Sequence, residues 1–127
     1  MARTTCKDFI EQAFNGRLEQ LSRLLRGEEN TLLGKLDDFA LGFDYVAPGT
    51  FEDQTEGYFR YQVSWKWPYD EFRFYVDGTI CRRAEYWFSD WFDSASLVCT
   101  DNKTVSLLWA WLCGTGAVRA AHPRVVH

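Results

Sequence analysis

Two carboxylates near the end of an aromatic segment are the candidates for acid–base chemistry. Asp90 and Asp93 lie in the segment FSDWFD (residues 88–93), directly after Trp87. A carboxylate among large aromatic side chains is desolvated, which raises its pKa and suits it to general acid or general base catalysis. The structural alternative is that both carboxylates lie at a solvated strand end, or that one caps the turn at Asp93-Ser94.

The remaining reactive side chains favour no metal, cofactor or nucleophile site. The two histidines, His122 and His127, lie near the end of the chain, and no CxxC spacing occurs. We therefore expect no metal and no cofactor, and we expect the thiols of Cys6, Cys81 and Cys113 to act as small hydrophobic residues. Arg82 and Arg83 could bind an anion, or could pair with acidic residues on neighbouring strands. The cysteines are Cys6, Cys81, Cys99 and Cys113.

An alternating pattern between Gly57 and Asp93 predicts three antiparallel strands. Side chains that alternate between apolar and polar are typical of a strand with one buried face. The pattern resumes after Pro68, and Asp77-Gly78 predicts a turn into a third run, 80–88. The apolar residues of the first run that share one face are Phe59, Tyr61, Val63, Trp65 and Trp67.

The register of the hairpin decides which side chains face the core. A two-residue type I′ turn would pair Phe74 with Cys81. A three-residue loop, with Gly78 left-handed in a bulge, would pair Phe74 with Ile80 instead. We favour the second register, because a slip of one residue would turn the apolar set to the other side. It also places Arg82 on the inner face.

The aromatic residues of the sheet give two candidate binding surfaces. A ligand pocket on the inner, concave face would be mostly apolar with a few polar groups, although a filled core is the alternative. Aromatic residues on the outer face are candidates for binding a protein partner. The predicted ligand-binding residues are Tyr61, Trp65, Phe72, Phe74, Arg82, Tyr86 and Phe88. The predicted partner-binding residues are Tyr58, Tyr69, Tyr75, Trp87 and Trp91.

Helical patterns precede and follow the sheet. Thr5 and Asp8 have the spacing of a capping box, and apolar spacing predicts one helix up to Asn15-Gly16 and a second that ends at Gly27. A short third helix is predicted between residues 28 and 42, and a short strand at 43–47. Residues 105–112 fit a helix, which we favour, or a strand. We expect a plain loop at residues 114–116 and a partly mobile tail after it.

The sequence therefore predicts a single α+β domain over residues 1–127. N-terminal helices (1–42) would pack on a curved, aromatic-rich antiparallel sheet (43–93), followed by a C-terminal segment and tail (94–127).

Three segments resemble the nuclear transport factor 2-like, or SnoaL-like, cone fold. The opening helices of that family are similar to FIEQAFNGRL (9–18) and the leucines that follow it up to residue 25. Its penultimate hairpin is similar to FYVDGTI (74–80). The ending of its epoxide-hydrolase and cyclase branches is similar to FSDWFD (88–93). The resemblance implies a cofactor-free cyclase, isomerase or hydrolase. The interval from Gly78 to Asp90 is longer than in that family, so aligning the hairpin puts Phe88 in the place of the terminal acid.

Charge and hydropathy narrow the classes of function. The net charge of −4 and the dispersed acidic residues argue against a nucleic-acid-binding or membrane-binding surface, and no apolar run approaches the ~20 residues of a membrane span. We expect a small, soluble, cytoplasmic binding protein for a small apolar ligand or a protein partner, and a homodimer is possible. The alternatives are the enzyme that the resemblance implies and an acidic inhibitor module of the kind that phages and mobile elements carry.

Overall fold

The computed structural model describes residues 5–27, 42–64, 68–90 and 93–122. Within these ranges an N-terminal helix packs on a five-stranded antiparallel sheet, so the predicted α+β class is confirmed. The strands follow one another in the order β1-β2-β3-β4-β5, each paired with the next along the chain. The elements are α1 (Cys6–Leu25), β1 (Gly42–Val46), β2 (Tyr58–Ser64), β3 (Tyr69–Asp77), β4 (Ile80–Ser89), β5 (Ser94–Val98), α2 (Lys103–Gly114) and α3 (Ala117–Ala121).

The N-terminal helix α1 is continuous, so the predicted division at Asn15-Gly16 is wrong. The apolar residues before and after Gly16 share one face of the helix, and burying that face offsets the cost of glycine in a helix, at most about 1 kcal/mol. The predicted capping box is present: the Asp8 carboxylate accepts hydrogen bonds from the Thr5 backbone N–H (2.8 Å) and hydroxyl (3.0 Å). The predicted third helix, between residues 28 and 42, lies outside the described residues.

The inner face of the sheet, which faces the helices, forms the core. The Phe14 ring of α1 lies 6.3 Å from the Phe72 ring and 5.4 Å from the Tyr86 ring. On the same face, Trp109 of α2 lies 5.0 Å from the Phe74 ring and donates its indole N–H to the Thr79 carbonyl (3.0 Å). The helices thus pack on one side of the sheet, and α2 also contacts the β3–β4 hairpin.

The β3–β4 hairpin differs from both predicted registers. Asp77 pairs with Ile80, and a bulge farther along the hairpin brings Phe74 opposite Ala84. Gly78 has the predicted left-handed backbone, with φ +62°. The bulge restores the parity that the core needs, so Ala84 and Tyr86 face inward as expected while Ile80 is 72% exposed.

The C-terminal part adds elements that the sequence pattern did not predict. The sheet continues beyond Asp93 into β5, whose small residues give weak alternation, and α3 forms in the expected tail. The helix favoured over residues 105–112 is confirmed as part of α2, and Asn102 caps it by accepting from the Val105 N–H (3.1 Å). None of the helices in the described ranges is long and apolar enough to cross a membrane.

Candidate functional site

A cleft of about 440 Å³, here called the α1 cleft, opens between α1 and the adjoining ends of β3 and β4. Its walls are mainly apolar. Its polar groups come from successive turns of α1 and from the start of β3. This composition is typical of a small-molecule site. The lining residues are Phe9, Gln12, Ala13, Gly16, Arg17, Gln20, Pro68, Asp70 and Phe88.

A buried carboxylate forms the polar part of the cleft. Asp70 is 3% exposed and accepts two hydrogen bonds from Arg17, from Nε to Oδ2 (2.7 Å) and from Nη2 to Oδ1 (3.1 Å). The Tyr86 hydroxyl donates a third to Oδ2 (2.6 Å). The Arg17 Nη1 donates to the Gln20 side-chain oxygen (3.1 Å). This bidentate geometry holds both charged groups in place.

The network fixes the protonation of Tyr86 and of Arg17. Burial, together with the neighbouring Asp70 charge, raises the pKa of Tyr86 well above its ordinary value of 10.0, so the hydroxyl remains a donor. Burial acts to lower the pKa of Arg17, but the hydrogen bonds and charge of Asp70 outweigh it and the pKa is raised. Charge is therefore balanced inside the cleft, and the site does not require a charged ligand.

Gly16 gives the cleft room next to Arg17. A Cβ built at Gly16 meets no atom within 4 Å, and the residue lies on the exposed surface of α1. The Phe9 side chain at the rim is 46% exposed, so it offers apolar surface to a ligand. The cleft thus combines accessible apolar surface with fixed hydrogen-bonding groups.

The predicted ligand-binding residues do not lie together in this cleft. Phe88 lines it, whereas four others are at most 2% exposed in the core, in contact with α1, α2 or one another. Arg82 is on the surface, contrary to its predicted inner position, because it falls at the bulge, and it donates to Glu56 (2.8 Å). Trp65 lies outside the described residues. The four core residues are Tyr61, Phe72, Phe74 and Tyr86.

The predicted partner-binding residues are less accessible than expected. Tyr58 and Tyr75 were expected to be exposed, but they are 2% and 6% exposed. They pack with Val46 and against arginine side chains on the outer face of the sheet. Tyr69 and Trp87 are half-buried, and Trp91 lies outside the described residues.

The two predicted acid–base residues lie at the β4–β5 turn and do not line the α1 cleft. The Asp93 carboxylate accepts from the Cys6 backbone N–H (2.9 Å), so it caps α1 from across the fold. Asp90 is half-buried, and its backbone N–H donates to the Asp93 carbonyl (2.9 Å). A catalytic role for Asp90 stays a prediction.

The cysteines of the described ranges are free thiols with little nucleophilic character. Burial raises the pKa of Cys99 to about 12 and also raises the pKa of Cys6, Cys81 and Cys113. A thiol with a raised pKa is mostly protonated at neutral pH and is a weak nucleophile. The described residues include no group of three or more potential metal ligands.

Sequence reasoning missed Arg17 and Asp70, although a signal for both exists. Asp70 falls on the same strand parity as Phe72 and Phe74, and Arg17 falls between Phe14 and the leucines on the buried side of α1. The apolar face of α1 thus carries one positive charge, and the apolar face of β3 carries one negative charge. When two such faces pack together, the charges are expected to pair, because an isolated buried charge is strongly unfavourable.

Neither a known protein family, nor a curated protein sequence, nor a solved structure matches this chain. The resemblance to the cone fold therefore stays a prediction.

Proposed function

We propose that this protein binds a small, neutral, amphipathic molecule in the α1 cleft. The observation that carries the proposal is the ion pair between the half-buried Arg17 and the buried Asp70 beneath an open, mainly apolar cleft. A cleft of this volume lies within the range of about 300–1,000 Å³ that is usual for small-molecule sites.

The chemistry of the lining defines the ligand class. Phe9, Phe88 and Pro68 offer apolar surface for a flat or aliphatic body. Asp70 already accepts three hydrogen bonds from Arg17 and Tyr86, so a ligand charge would have no uncompensated partner there. The amides of Gln12 and Gln20 can donate and accept, which suits a neutral carbonyl, amide or hydroxyl group.

The same geometry favours binding over catalysis. Tyr86 keeps its proton and donates it to Asp70, so the tyrosine is not poised to exchange a proton with a ligand. The Asp70 carboxylate is already occupied by three hydrogen bonds from Arg17 and Tyr86. The cofactor-free enzyme that the cone-fold resemblance implies remains the alternative proposal, with Asp90 as its acid–base residue.

Blocking the cleft without disturbing the fold tests the proposal. Gly16→Leu places a side chain in the cleft and should leave α1 at least as stable, because leucine is a better helix former than glycine. The matched control is Glu19→Leu, at an exposed position of α1 that does not line the cleft.

The measurement is NMR titration of the ¹⁵N-labelled protein with a panel of small neutral amides and phenols. At least one compound should shift the backbone signals of cleft residues in the wild type and in Glu19→Leu, but not in Gly16→Leu. If no compound of the panel shifts those signals, or if Gly16→Leu binds as the wild type does, the proposed function is wrong.

A further inference from the structure

The outer face of the sheet carries a second depression that the α1 cleft does not explain. The connection between β1 and β2 folds over this face and encloses a groove of about 360 Å³, here called the outer groove. Its aromatic lining consists of Phe51, Tyr58, Tyr75 and Trp87, and its acidic lining of Glu52, Asp53 and Glu56. Arg73 is the one basic residue among the described residues that line it.

The loop that carries the acidic lining is fixed by the side chain of Gln54. Its Nε2 donates to the Ala47 carbonyl (3.1 Å) and to the Glu56 carbonyl (2.7 Å), while its Oε1 accepts from the Phe51 N–H (3.0 Å). At the far end Gly57 permits closure, since a Cβ there would collide with the Tyr45 hydroxyl. A loop held in this way presents its exposed side chains at a low entropic cost of binding.

The aromatic rings of the groove already hold guanidinium groups of the protein itself. The Arg73 guanidinium lies 4.6 Å from the Tyr58 ring centroid and 3.9 Å from the Trp87 ring centroid, and the Arg83 guanidinium lies 4.0 Å from that of Tyr75. Electron-rich ring faces attract cations. These three rings are therefore already covered, and the exposed Phe51 ring is the aromatic surface that is accessible to a further cation.

The charges of the groove leave a negative excess. Arg73 is neutralised by the buried Glu71 carboxylate (2.7 Å), and Glu56 pairs with Arg83 (2.6 Å) and with Arg82. The carboxylates of Glu52 and Asp53 lie exposed at the rim beside Phe51, whose ring is 50% exposed. A cationic partner complements this rim, and the net charge of −4 would favour its approach.

The shape of the surface favours a peptide over a small cation. Phe51 and Arg73 also border a second depression of about 380 Å³, which continues along the sheet to Arg60, Gln62 and Tyr69. Two depressions with shared walls make an elongated surface of the kind that accepts an extended chain. We propose that the outer groove binds an extended, basic segment of a partner protein, whose arginine or lysine side chains stack on Phe51 and pair with Glu52 and Asp53.

The test uses a short, fluorescein-labelled peptide of alternating glycine and arginine, with a glycine–glutamate peptide of equal length as the charge control. Fluorescence anisotropy gives the affinity of the full chain for each peptide at low and at physiological ionic strength. The arginine peptide should bind, more weakly at the higher salt, and the glutamate peptide should not bind.

The variant pair separates a local site from net charge. Glu52→Gln with Asp53→Asn should weaken binding of the arginine peptide about three- to tenfold. Glu11→Gln with Glu19→Gln makes the same change of net charge at exposed positions of α1 and should leave the affinity unchanged. The Trp87 indole N–H signal should shift on titration of the wild type.

Three outcomes would overturn the proposal. The first is binding of the glutamate peptide as tightly as the arginine peptide, and the second is equal weakening by both variant pairs, which would show attraction by net charge alone. The third is the absence of any anisotropy change with the arginine peptide. All four substitutions lie at exposed positions, so circular dichroism of the variants should match that of the wild type.

Discussion

The two faces of the sheet bury aromatic rings to the same extent by different means. On the inner face, Phe72 and Phe74 are fully buried against the rings of α1 and α2. On the outer face, Tyr58 and Tyr75 are almost as buried, but arginine side chains cover them. Burial alone therefore does not identify the core, and the two faces should respond differently to substitution, charge and pH.

The largest difference should appear when a central side chain of the inner face is removed. Phe74→Ala should lower the free energy of unfolding by about 3–5 kcal/mol, because it leaves a cavity beside Trp109 that the helices cannot close. On the outer face of β2, Arg60→Ala removes an ion pair with the half-exposed Asp44 and should cost less than about 1 kcal/mol. Urea denaturation measures both, and similar losses would show that the distinction between the faces is wrong.

The second largest effect concerns the ion pair in the α1 cleft. Asp70→Asn should cost about 2 kcal/mol, because Arg17 loses its charged partner, although partial exposure of Arg17 (26%) lets water compensate in part. The control is Asp44→Asn, whose carboxylate is 51% exposed, and its cost should stay below about 1 kcal/mol. Equal costs by urea denaturation would mean that the Arg17–Asp70 pair is solvated like a surface pair.

The faces depend on the hairpin register, which the Gly78 turn helps to set. Gly78→Val should cost about 1–2 kcal/mol, because a β-branched residue is strained at φ +62°. Gly78→Asn is the matched control and should cost less, since asparagine tolerates the left-handed region. A Cβ at this position meets no neighbour within 4 Å, so the backbone conformation alone is tested by thermal denaturation. Equal stability of the valine variant and the wild type would contradict this assignment.

The sequence predicted the inner face better than the outer one. Alternation of apolar residues locates strands and their buried side, because the hydrophobic effect is non-directional and follows pattern. The alternation pattern does not predict the hairpin bulge. The bulge turns Ile80 to the solvent but leaves Tyr86 on the inner face, where the pattern already placed it. The burial of Tyr58 and Tyr75 on the outer face was likewise not predictable. The residues that cover these rings are Arg73 and Arg83, and the sequence indicates only that arginines on this face are at the surface.

The candidate site was predictable only in part. Phe88 was expected to bind a ligand and lines the α1 cleft. Arg17 and Asp70 are separated by 53 positions in the chain, and their pairing depends on how α1 lies across the sheet. The alternation pattern predicts which face of each helix or strand is buried, but it does not predict how α1 crosses the sheet. A site between a helix and a sheet is therefore found only when the fold is known.

The smallest expected effect is a pH dependence that belongs to the outer face. Hydrogen bonds from Arg82 and Arg83 lower the pKa of Glu56 below its ordinary value of 4.5. The unfolded chain therefore takes up this proton at a higher pH than the folded protein does. The ionised carboxylate contributes its stabilisation in full above the unfolded pKa, and the contribution is lost as the pH falls through the lower, folded value.

Glu56→Gln removes this titration and should make stability less dependent on pH below 4.5. Because the Glu56 side chain is partly exposed to solvent, water and salt screen its ion pairs, and the difference from the wild type should shrink as ionic strength rises. The measurement is urea denaturation of both proteins across the acidic range, with NMR titration of the Glu56 carboxyl. A folded pKa at or above 4.5 would show that the arginines do not hold the loop through Glu56. The outer groove would then owe its shape to the other hydrogen bonds of the loop, those of Gln54 and Thr50 among them.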